Sequence, residues 1–229
     1  MTITPLTGIE ICVFDAYGTL FDFNSAVARH RTAIGPKADA LSEMWRTKQI
    51  QYTWLRNGMG AYARFWQVTG EALDHCLAAC GIADASVRDK LMGAYLALDP
   101  FPEVPAMLDA LRSAGKRLAI LSNGNSEMLQ PMVAACKLAE RFDAVLSVDS
   151  VGVFKPDPKV YRLVEAHCSV RPDKVCFLSS NCWDAHGAAH FGFTTVWVNR
   201  AGAPDDNLPG RFAAQIRDLS TLPQLLGVS

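Results

Sequence analysis

Asp15 is the first residue of the chain that combines a reactive group with the setting of a functional site. It follows an apolar run that begins at Ile9, and the sharp turn Tyr17-Gly18-Thr19 comes soon after it. In open parallel α/β sheets the ligand crevice lies beyond the carboxyl ends of the strands, so a strand that ends on Asp15 would place its carboxylate there. Aspartate is also common in turns, and a capping role is the simpler alternative. The polar residues after the later strands help to decide between a functional site and a capping role.

Polar side chains recur at equivalent places further along the chain. They follow short apolar runs: Ser122 after 117–121, Lys155 after 144–148, and Ser179, Asn181 and Asp184 after 175–178. Each alone has an ordinary explanation, as a turn former, a solvated lysine or a residue at the start of a helix. Because all of these loops belong to one edge of a sheet, together they favour a functional site.

The elements that must position these residues alternate from residue 99 onward. The patterns predict helices at 104–114, 126–135 and 159–167, and strands at 117–121, 144–148, 175–178 and 195–198, the last being the final strand. Strand, polar turn and helix repeat throughout. The sequence therefore predicts an α/β fold with a doubly wound, Rossmann-like parallel sheet and right-handed crossovers.

Residues 25–97 contain helical patterns and no strand-like alternation. Helices are expected at 25–34 with Ser25 as its cap, from 39 or 42 to 55 with Asn57-Gly58 closing it, and at 62–69, 73–80 and 87–96, with Gly70 and Gly81 as separators. A wholly helical block after the first strand predicts an inserted cap domain. We expect a core of residues 1–21 and 99–229, and a cap of residues 22–98 that closes over the strand ends.

Composition limits the class of protein. The chain has 229 residues, 50% of them apolar and 20% charged, enough for one sizeable core. The net charge of −1, with both signs interspersed, argues against nucleic acid or an anionic membrane as a partner. Residues 1–7 carry no basic region followed by a long apolar segment, and no stretch reaches transmembrane length. We expect a cytoplasmic protein.

Cysteine and histidine spacing predicts neither disulfides nor a metal centre. The 7 cysteines are scattered and form no paired CxxC pattern, so we interpret them as mostly reduced, buried small residues. His186 and His190 would share one face of a helix, but the intervening Gly-Ala-Ala lacks a glutamate and no third ligand suggests itself. Chance spacing is the expected explanation.

Taken together, the motifs resemble the haloacid dehalogenase superfamily, and within it the L-2-haloacid dehalogenases. The matching segments are Asp15-Ala16-Tyr17-Gly18-Thr19-Leu20-Phe21-Asp22, Trp45-Arg46, Tyr52-Thr53-Trp54-Leu55-Arg56, Leu121-Ser122-Asn123-Gly124-Asn125, Lys155-Pro156-Asp157 and Ser179-Ser180-Asn181-Cys182-Trp183-Asp184. The resemblance extends over nearly the whole chain. It implies hydrolytic dehalogenation of short-chain (S)-2-haloacids with inversion, no cofactor, and a homodimer.

The sequence departs from the phosphatase pattern of the same superfamily at two places. Phosphatases carry Asp-x-Asp, in which the second carboxylate protonates the leaving group, whereas position 17 here is tyrosine. They also bind magnesium through carboxylates of the last loop, whereas here Asn181 and Asp184 stand with serines. Asp15 and Asp184 alone make a poor magnesium site, and Lys155 can supply the neutralising charge instead. No metal is expected.

The chemistry assigns a role to each candidate. Asp15 would attack C2 and form an ester, while Lys155 keeps Asp15 ionised, and Asp184, with Asn181 and Lys155, activates the hydrolytic water. The amides of the turn at Ala16 and Tyr17, with the Ser122 hydroxyl, would hold the substrate carboxylate. The resemblance assigns the leaving halide to Arg46 and Asn123. The remaining candidates are Thr19 and Ser179 as hydrogen-bonding supports, Tyr17, Ile50, Phe65 and Trp183 as apolar walls, and Tyr161 as a further hydrogen-bond partner.

Three other functions stay open from the sequence. A magnesium-dependent phosphatase or phosphonatase is the nearest, and Tyr17 speaks against it. A catalytically silent binding protein would retain the loops without turnover, although no nucleophile is missing. A cysteine hydrolase built on Cys182 is the weakest, because no orienting partner is visible for its neighbour His186.

Overall fold

A computed structural model describes residues 5–228 and contains a central sheet with helices around it. In chain order the strands are β1 (Ile11–Phe14), β2 (Phe21–Asp22), β3 (Asp99–Pro100), β4 (Arg117–Ser122), β5 (Ala144–Ser147), β6 (Val175–Ser179), β7 (Thr194–Val198) and β8 (Ala214–Ile216). The helices are α1 (Asn24–Ala28), α2 (Arg31–Ile34), α3 (Ala38–Met59), α4 (Phe65–Ala79), α5 (Ala85–Tyr95), α6 (Val104–Ser113), α7 (Ser126–Ala135), α8 (Pro158–Cys168), α9 (Cys182–Phe191) and α10 (Leu222–Leu225).

The main sheet has six strands in the order β5-β4-β1-β6-β7-β8, and every pairing is parallel. Its central strands β1, β4 and β6 consist almost entirely of buried residues, as expected for a sheet covered by helices on both faces. The α/β fold predicted from the alternating pattern is confirmed.

The strand register brings the polar loops together. Phe14 of β1 is paired with Ile120 of β4 on one side and with Leu178 of β6 on the other. By this register Asp15 lies opposite Ser179 on β6, and Ser122 lies one residue beyond the position opposite Asp15 on β4. Because parallel strands end at one edge, the three polar residues emerge side by side.

Helices α1–α5 form a block between two very short strands, β2 and β3. These strands pair antiparallel, with Phe21 opposite Pro100 and Asp22 opposite Asp99. The long helix α3 packs on α4, where the buried Trp45 donates its indole N–H to the carbonyl oxygen of Thr69 at 2.9 Å. The chain thus leaves and re-enters the core through one narrow ribbon.

Several predicted boundaries are wrong for physical reasons. The helix expected at 25–34 is split into α1 and α2. Helix α1 begins at Asn24, whose amide donates to the Asp22 carboxylate at 2.9 Å, and the Ser25 hydroxyl does not cap the helix but donates to the Asp22 carbonyl oxygen. Helix α3 passes Asn57-Gly58 and ends at Met59, where Gly60 caps it with a left-handed φ of 63°.

Gly70 does not separate two helices, because α4 runs through it without a break. A Cβ atom at this position would lie 3.2 Å from Nη2 of Arg88 and 3.5 Å from Cε of Met92. The glycine therefore permits close packing of α5 against α4. The strand at 194–198 is also not the last, since β8 pairs with β7; its three residues are too few to show an alternating pattern.

No helix within residues 5–228 has both the length and the apolar content needed to cross a bilayer. The expectation that residues 1–7 contain no leader falls partly on residues 1–4, which lie outside the described residues, as does residue 229 at the end of the expected core.

Candidate active site

Asp15 lies at the centre of the site, directly after β1. Its amide donates to the carbonyl oxygen of Leu178 at 2.9 Å, which continues the pairing with β6 by one residue. Its side chain is almost completely buried, and the Oδ1 atom accepts from Nζ of Lys155 at 3.0 Å. The carboxylate is thus fixed by the backbone on one side and by an ammonium group on the other.

Lys155 connects two carboxylates that lie far apart in the sequence. Its Nζ atom donates to Oδ2 of Asp184 at 2.9 Å as well as to Asp15, and it lies 5.0 Å from the centre of the Phe177 ring. The other oxygen of Asp184 accepts from the Tyr161 hydroxyl at 2.8 Å. All four polar members of this network, Asp15, Lys155, Asp184 and Tyr161, are buried.

The charges of this network shift its ionisation. Burial works to lower the pKa of Lys155, but the carboxylates of Asp15 and Asp184 outweigh it and raise that pKa above its ordinary value. Burial raises the pKa of Asp184, although the ammonium of Lys155 opposes this shift. Two carboxylates share one ammonium group, so a negative charge remains for the neutral hydrogen-bond donors to stabilise.

The second oxygen of Asp15 is held by neutral donors. Oδ2 accepts from the Asn181 amide nitrogen at 2.9 Å and from the Thr19 hydroxyl at 3.3 Å. Ser179 contributes one step away, since its buried Oγ accepts from the Asn181 backbone N–H at 3.2 Å. The amide of Ser180, a residue that sequence analysis did not single out, donates to Oγ1 of Thr19 at 2.8 Å.

The turn after Asp15 folds tightly around one carbonyl. The amides of Thr19, Leu20 and Phe21 all donate to the carbonyl oxygen of Ala16. The amides of Ala16 and Tyr17 take no part in these turn hydrogen bonds. Gly18 permits the turn: its φ is +86°, and a Cβ atom there would lie 2.9 Å from Oγ of Ser180.

The loop after β4 presents Ser122 and Asn123 beside this turn. The buried Ser122 hydroxyl oxygen accepts from the Gly124 amide at 3.0 Å. The Asn123 side-chain oxygen accepts from the Lys155 amide at 3.0 Å, so it supports the lysine loop. Arg46, the predicted partner of Asn123 in holding the halide, donates its own hydrogen bonds to other residues, and their joint role stays a prediction.

Arg46 enters the site from helix α3. Its Nη2 atom donates to the Tyr17 carbonyl oxygen and to Oδ1 of Asn181, both at 3.2 Å. Asn181 therefore contacts the cap arginine with its oxygen and Asp15 with its nitrogen. The guanidinium also lies 5.0 Å from the Phe23 ring centre. The resemblance placed Arg46 in the site, whereas its sequence surroundings resembled an ordinary solvated helix.

A chain of hydrogen bonds that sequence analysis missed holds Arg46 in place. Its Nη1 atom donates to Oε1 of Gln49 at 2.8 Å. Gln49 is buried and its amide nitrogen donates to the hydroxyls of Thr69 at 2.7 Å and Tyr95 at 3.0 Å. Gln49 lies one helical turn from Arg46, a spacing that could have suggested contact, but nothing in the sequence indicates that Tyr95 joins them.

Tyr17 lies between the core and the cap. Its ring stacks on Tyr95 at 5.3 Å between centroids and packs on Phe65 at 5.7 Å, so two cap helices contact it. Burial raises the pKa of Tyr17 well above its ordinary value. Its buried hydroxyl has no hydrogen-bond partner within residues 5–228. A Cβ atom at Gly124 would lie 2.8 Å from that hydroxyl, so glycine is needed there.

The other predicted wall residues lie at different depths. Phe65 is fully buried, and Ile50 is 8% exposed on α3, one turn after Arg46. Trp183 is only partly buried and packs edge-on against the exposed Trp54 of α3, at 5.2 Å between ring centroids. It therefore lies at the boundary between cap and core.

The cysteine and histidine expectations need one correction. His186 was expected to lack an orienting partner, but its Nε2 atom lies 2.7 Å from Oδ1 of Asp205. Cys182 approaches the same oxygen at 3.9 Å, whereas His190 is exposed and takes no part in the cluster. Burial raises the pKa of Cys182 to about 11, so the thiol is protonated near neutral pH and a nucleophilic role is disfavoured.

Comparison with known proteins gives this arrangement a family. The sequence model of the family of haloacid dehalogenase-like hydrolases matches residues 9–192, which include Asp15, Lys155 and Asp184. The chain belongs to this family.

Curated relatives and solved structures resemble the chain over nearly its whole length. An (S)-2-haloacid dehalogenase of Pseudomonas sp. strain CBS-3 is 47% identical, covering 95% of this chain and 96% of its own. One from Burkholderia cepacia is 45% identical, with 95% of each chain covered. The L-2-haloacid dehalogenase structure from Xanthobacter autotrophicus with chloropropionic acid covalently bound is 38% identical, with a TM-score of 0.88 and coverage of 96% and 98% of the two chains.

Proposed function

We propose that the protein hydrolyses short-chain (S)-2-haloacids to (R)-2-hydroxyacids, with inversion at C2 and through an ester on Asp15. The observation that carries this proposal is the constraint on one carboxylate. Both of its oxygens are held by donors, Lys155 on one and Asn181 and Thr19 on the other. A carboxylate so oriented is prepared for attack, because it loses little freedom on reaching the transition state.

The substrate would be oriented by the turn after Asp15 and by the cap. The amides of Ala16 and Tyr17 are not used in the turn itself and suit the substrate carboxylate, with Ser122 beside them. Arg46 reaches into the same space from α3 and would stabilise the leaving halide as charge develops, with Asn123 at the edge of the loop. Tyr17, Phe65, Ile50 and Trp183 would form the apolar surroundings.

Ester hydrolysis would use the other end of the lysine network. Asp184 accepts from Lys155 and from Tyr161, and burial raises its pKa, which makes it a stronger base than an ordinary aspartate. It would activate a water that attacks the carboxyl carbon of Asp15. The ester bond then breaks at the Asp15 carbonyl, and the hydroxyacid leaves with the former Asp15 oxygen. Asn181 and Lys155 would hold the developing charge.

A metal is not required by this scheme. Both Asp15 and Asp184 are paired with the Lys155 ammonium, which supplies the positive charge between them. The buried Tyr17 stands where phosphatases of the superfamily carry a second aspartate, and a halide needs no proton to leave. Chelator treatment should therefore leave the activity unchanged.

Incubation with L- and D-2-chloropropionate in chelator-treated buffer tests the proposal, with chloride release and lactate chirality as readouts. Chloride from the L form alone, with D-lactate as product, supports metal-free inverting dehalogenation. Phosphate release from a phosphoester panel only after magnesium is added, without chloride release, would favour the phosphatase instead. Tight binding of haloacids without turnover would favour a silent binding protein.

We also propose that residues 22–98 form a cap domain that opens and closes over a core of residues 1–21 and 99–229. Support comes from the β2–β3 ribbon, which is the passage between the two parts, and from the contacts of Arg46 with Tyr17 and Asn181. Fluorescence of Trp45 and Trp54 during rapid mixing with substrate would report closure. A cap that stays in one position would give no change before chemistry.

A homodimer is proposed from the surface of α3. Trp54, Leu55 and Met59 are 42%, 51% and 69% exposed on its last turns, and apolar surface of this kind is often covered by a partner. Sedimentation of the wild type as a dimer and of Leu55→Glu as a monomer would support it. Leu208→Glu, at another exposed leucine, should remain dimeric; if both variants match the wild type, α3 is not the interface.

A cytoplasmic location is proposed as well. All seven cysteines are free, and cysteines that stay unpaired are typical of a reducing compartment. Fractionation of cells that express the protein should recover it with cytoplasmic markers, and recovery elsewhere would contradict the proposal.

A further inference from the structure

Helix α9 carries a second group of functional side chains on the face away from the active site. Cys182 and His186 are four residues apart and therefore share one face, whereas Asp184 is two residues from each, about 200° around the axis. The loop after β7 brings Asp205 against this second face. One ligand atom each from Cys182, His186 and Asp205 lies within 4.8 Å of the others.

Both ring nitrogens of His186 face hydrogen-bond acceptors. Its Nδ1 atom faces the Gly210 carbonyl oxygen at 3.2 Å, and its Nε2 atom faces Oδ1 of Asp205 at 2.7 Å. Both neighbours are acceptors, and a neutral imidazole can donate from only one nitrogen. A metal ion bound to Nε2 would lie between this nitrogen and the carboxylate and would leave Nδ1 to donate to the Gly210 carbonyl oxygen.

A metal ion on Nε2 fits the surroundings of the ring. A backbone carbonyl on Nδ1 is the usual outer partner of a metal-binding histidine, because it fixes the tautomer and leaves Nε2 free as a ligand. The His186 side chain is 4% exposed and its ring packs on Phe212 at 4.4 Å between centroids, so it has little freedom to turn away. Gly210 brings the loop so close that a Cβ atom there would lie 2.6 Å from the His186 carbonyl oxygen.

We propose that Cys182, His186 and Asp205 bind one divalent cation of the zinc class. A thiolate, an imidazole and a carboxylate are the ligands that zinc prefers, and three protein ligands leave a fourth position for water. The thiolate and the carboxylate together balance the charge of the ion. Binding displaces the thiol proton of Cys182 to solvent, and the Asp206 carboxylate lies beside that thiol.

The distances between the ligand atoms differ from those of a tetrahedral site by about half an ångström. Bonds of about 2.0 Å to nitrogen and oxygen and about 2.3 Å to sulfur would place N and O about 3.3 Å apart, and S and O about 3.5 Å apart. The separations are 2.7 Å for Nε2 to Oδ1 and 3.9 Å for Sγ to Oδ1. Metal binding would lengthen the distance from Nε2 to Oδ1 and shorten the distance from Sγ to Oδ1. Rotation of the half-exposed Asp205 side chain supplies both changes.

Titration of the chelator-stripped protein with Co²⁺, in the absence of substrate, tests the site. A single equivalent should produce the charge-transfer band of a cobalt–thiolate bond, and Zn²⁺ should abolish it. Cys182→Ser should lose the band, while Cys136→Ser, at another partly exposed cysteine, should keep it. An unchanged band in Cys182→Ser, or no band in the wild type, would overturn the proposal.

Competition for Zn²⁺ against a chromogenic chelator supplies the affinity. His186→Gln and Asp205→Asn should each bind Zn²⁺ about tenfold more weakly or worse, whereas His190→Gln, on the same helix but outside the cluster, should bind like the wild type. Asp205 is at the surface, so its variant stays informative if loss of the buried His186 impairs folding. Equal affinity in the wild type and Asp205→Asn would mean that His186 and Asp205 form only an ion pair that fastens the loop.

Discussion

The core side and the cap side of the active site are built on different principles. On the core side, Asp15 follows β1, Lys155 lies in the loop between β5 and α8, and Asp184 lies in the first turn of α9. The Lys155 ammonium lies within 3.0 Å of both buried carboxylates. On the cap side, Arg46 is held by neutral groups, since Gln49 accepts its hydrogen bond and is itself fixed by Thr69 and Tyr95. Loss of Lys155 leaves both core carboxylates without their counter-charge, whereas loss of Gln49 leaves the charge of Arg46 in place and removes only the group that orients it.

This difference suggests a division of labour. Under the proposed function, the carboxylate that attacks in a fixed direction gains from a rigid strand end, whereas the group proposed to meet the departing halide is delivered by a helix. The two networks meet at Asn181, which donates to Asp15 and accepts from Arg46. The following substitutions address the two sides separately.

Lys155→Met should have the largest effect, because it leaves two buried carboxylates without their counter-charge. We expect the free energy of unfolding to fall by about 3–5 kcal/mol and activity to fall by about 10³-fold or more. Urea denaturation and chloride release measure the two. Lys159→Met, at an exposed lysine on α8, is the matched control. If Lys155→Met is as stable as the wild type, the Lys155 ammonium does not stabilise the two buried carboxylates.

Asp184→Asn should slow ester hydrolysis by about 10³-fold and leave ester formation much faster. A burst of one halide per enzyme, followed by slow turnover, is the expected trace. Because burial raises the pKa of Asp184, the ionised base is lost as the pH falls, and the acid limb of kcat should lie above about pH 4, where an ordinary aspartate titrates. A variant without a burst and with an unchanged acid limb would remove Asp184 from this role.

Arg46→Lys keeps the charge of the cap but removes the planar guanidinium that reaches both Tyr17 and Asn181. The expected loss in kcat is about 10²-fold, with little change in the free energy of unfolding. Arg88→Lys, at an exposed arginine paired with Asp74, is the control. If Arg46→Lys retains full activity on chloro- and bromo-substrates, the reaction needs the positive charge of the cap residue but not the planar shape of its guanidinium.

Gln49→Met should have the smallest effect, since it removes the partner of Arg46 and not Arg46 itself. Activity should fall about tenfold through misplacement of the guanidinium. The loss should be small in a background that already carries Arg46→Lys, because the two changes affect one interaction. Gln51→Met, on the exposed face of α3, controls for the helix. Additive losses in the double variant would mean that Gln49 acts independently of Arg46.

The contrast between the core side and the cap side also explains which site residues could be predicted from the sequence. The residues at the strand ends were predictable because each follows an apolar run and parallel strands share one edge. The link between Gln49 and Tyr95 spans 46 positions and depends on how three helices pack, which no local pattern records. The Asp205 carboxylate likewise meets His186 only through the path of a loop. A helix break was predicted at Gly70 because the glycine itself is visible in the sequence. The close packing of α5 that makes a glycine necessary there is not.

The identity of the nucleophile is the central claim, and a single turnover in ¹⁸O-labelled water tests it most directly. Excess enzyme should place the label in the Asp15 side chain, detected by mass spectrometry of the peptide that contains it, while the first hydroxyacid released carries unlabelled oxygen. Asp15→Asn should release no halide. Label in the first product, with an unlabelled Asp15 peptide, would mean that water attacks C2 directly and would contradict the ester mechanism.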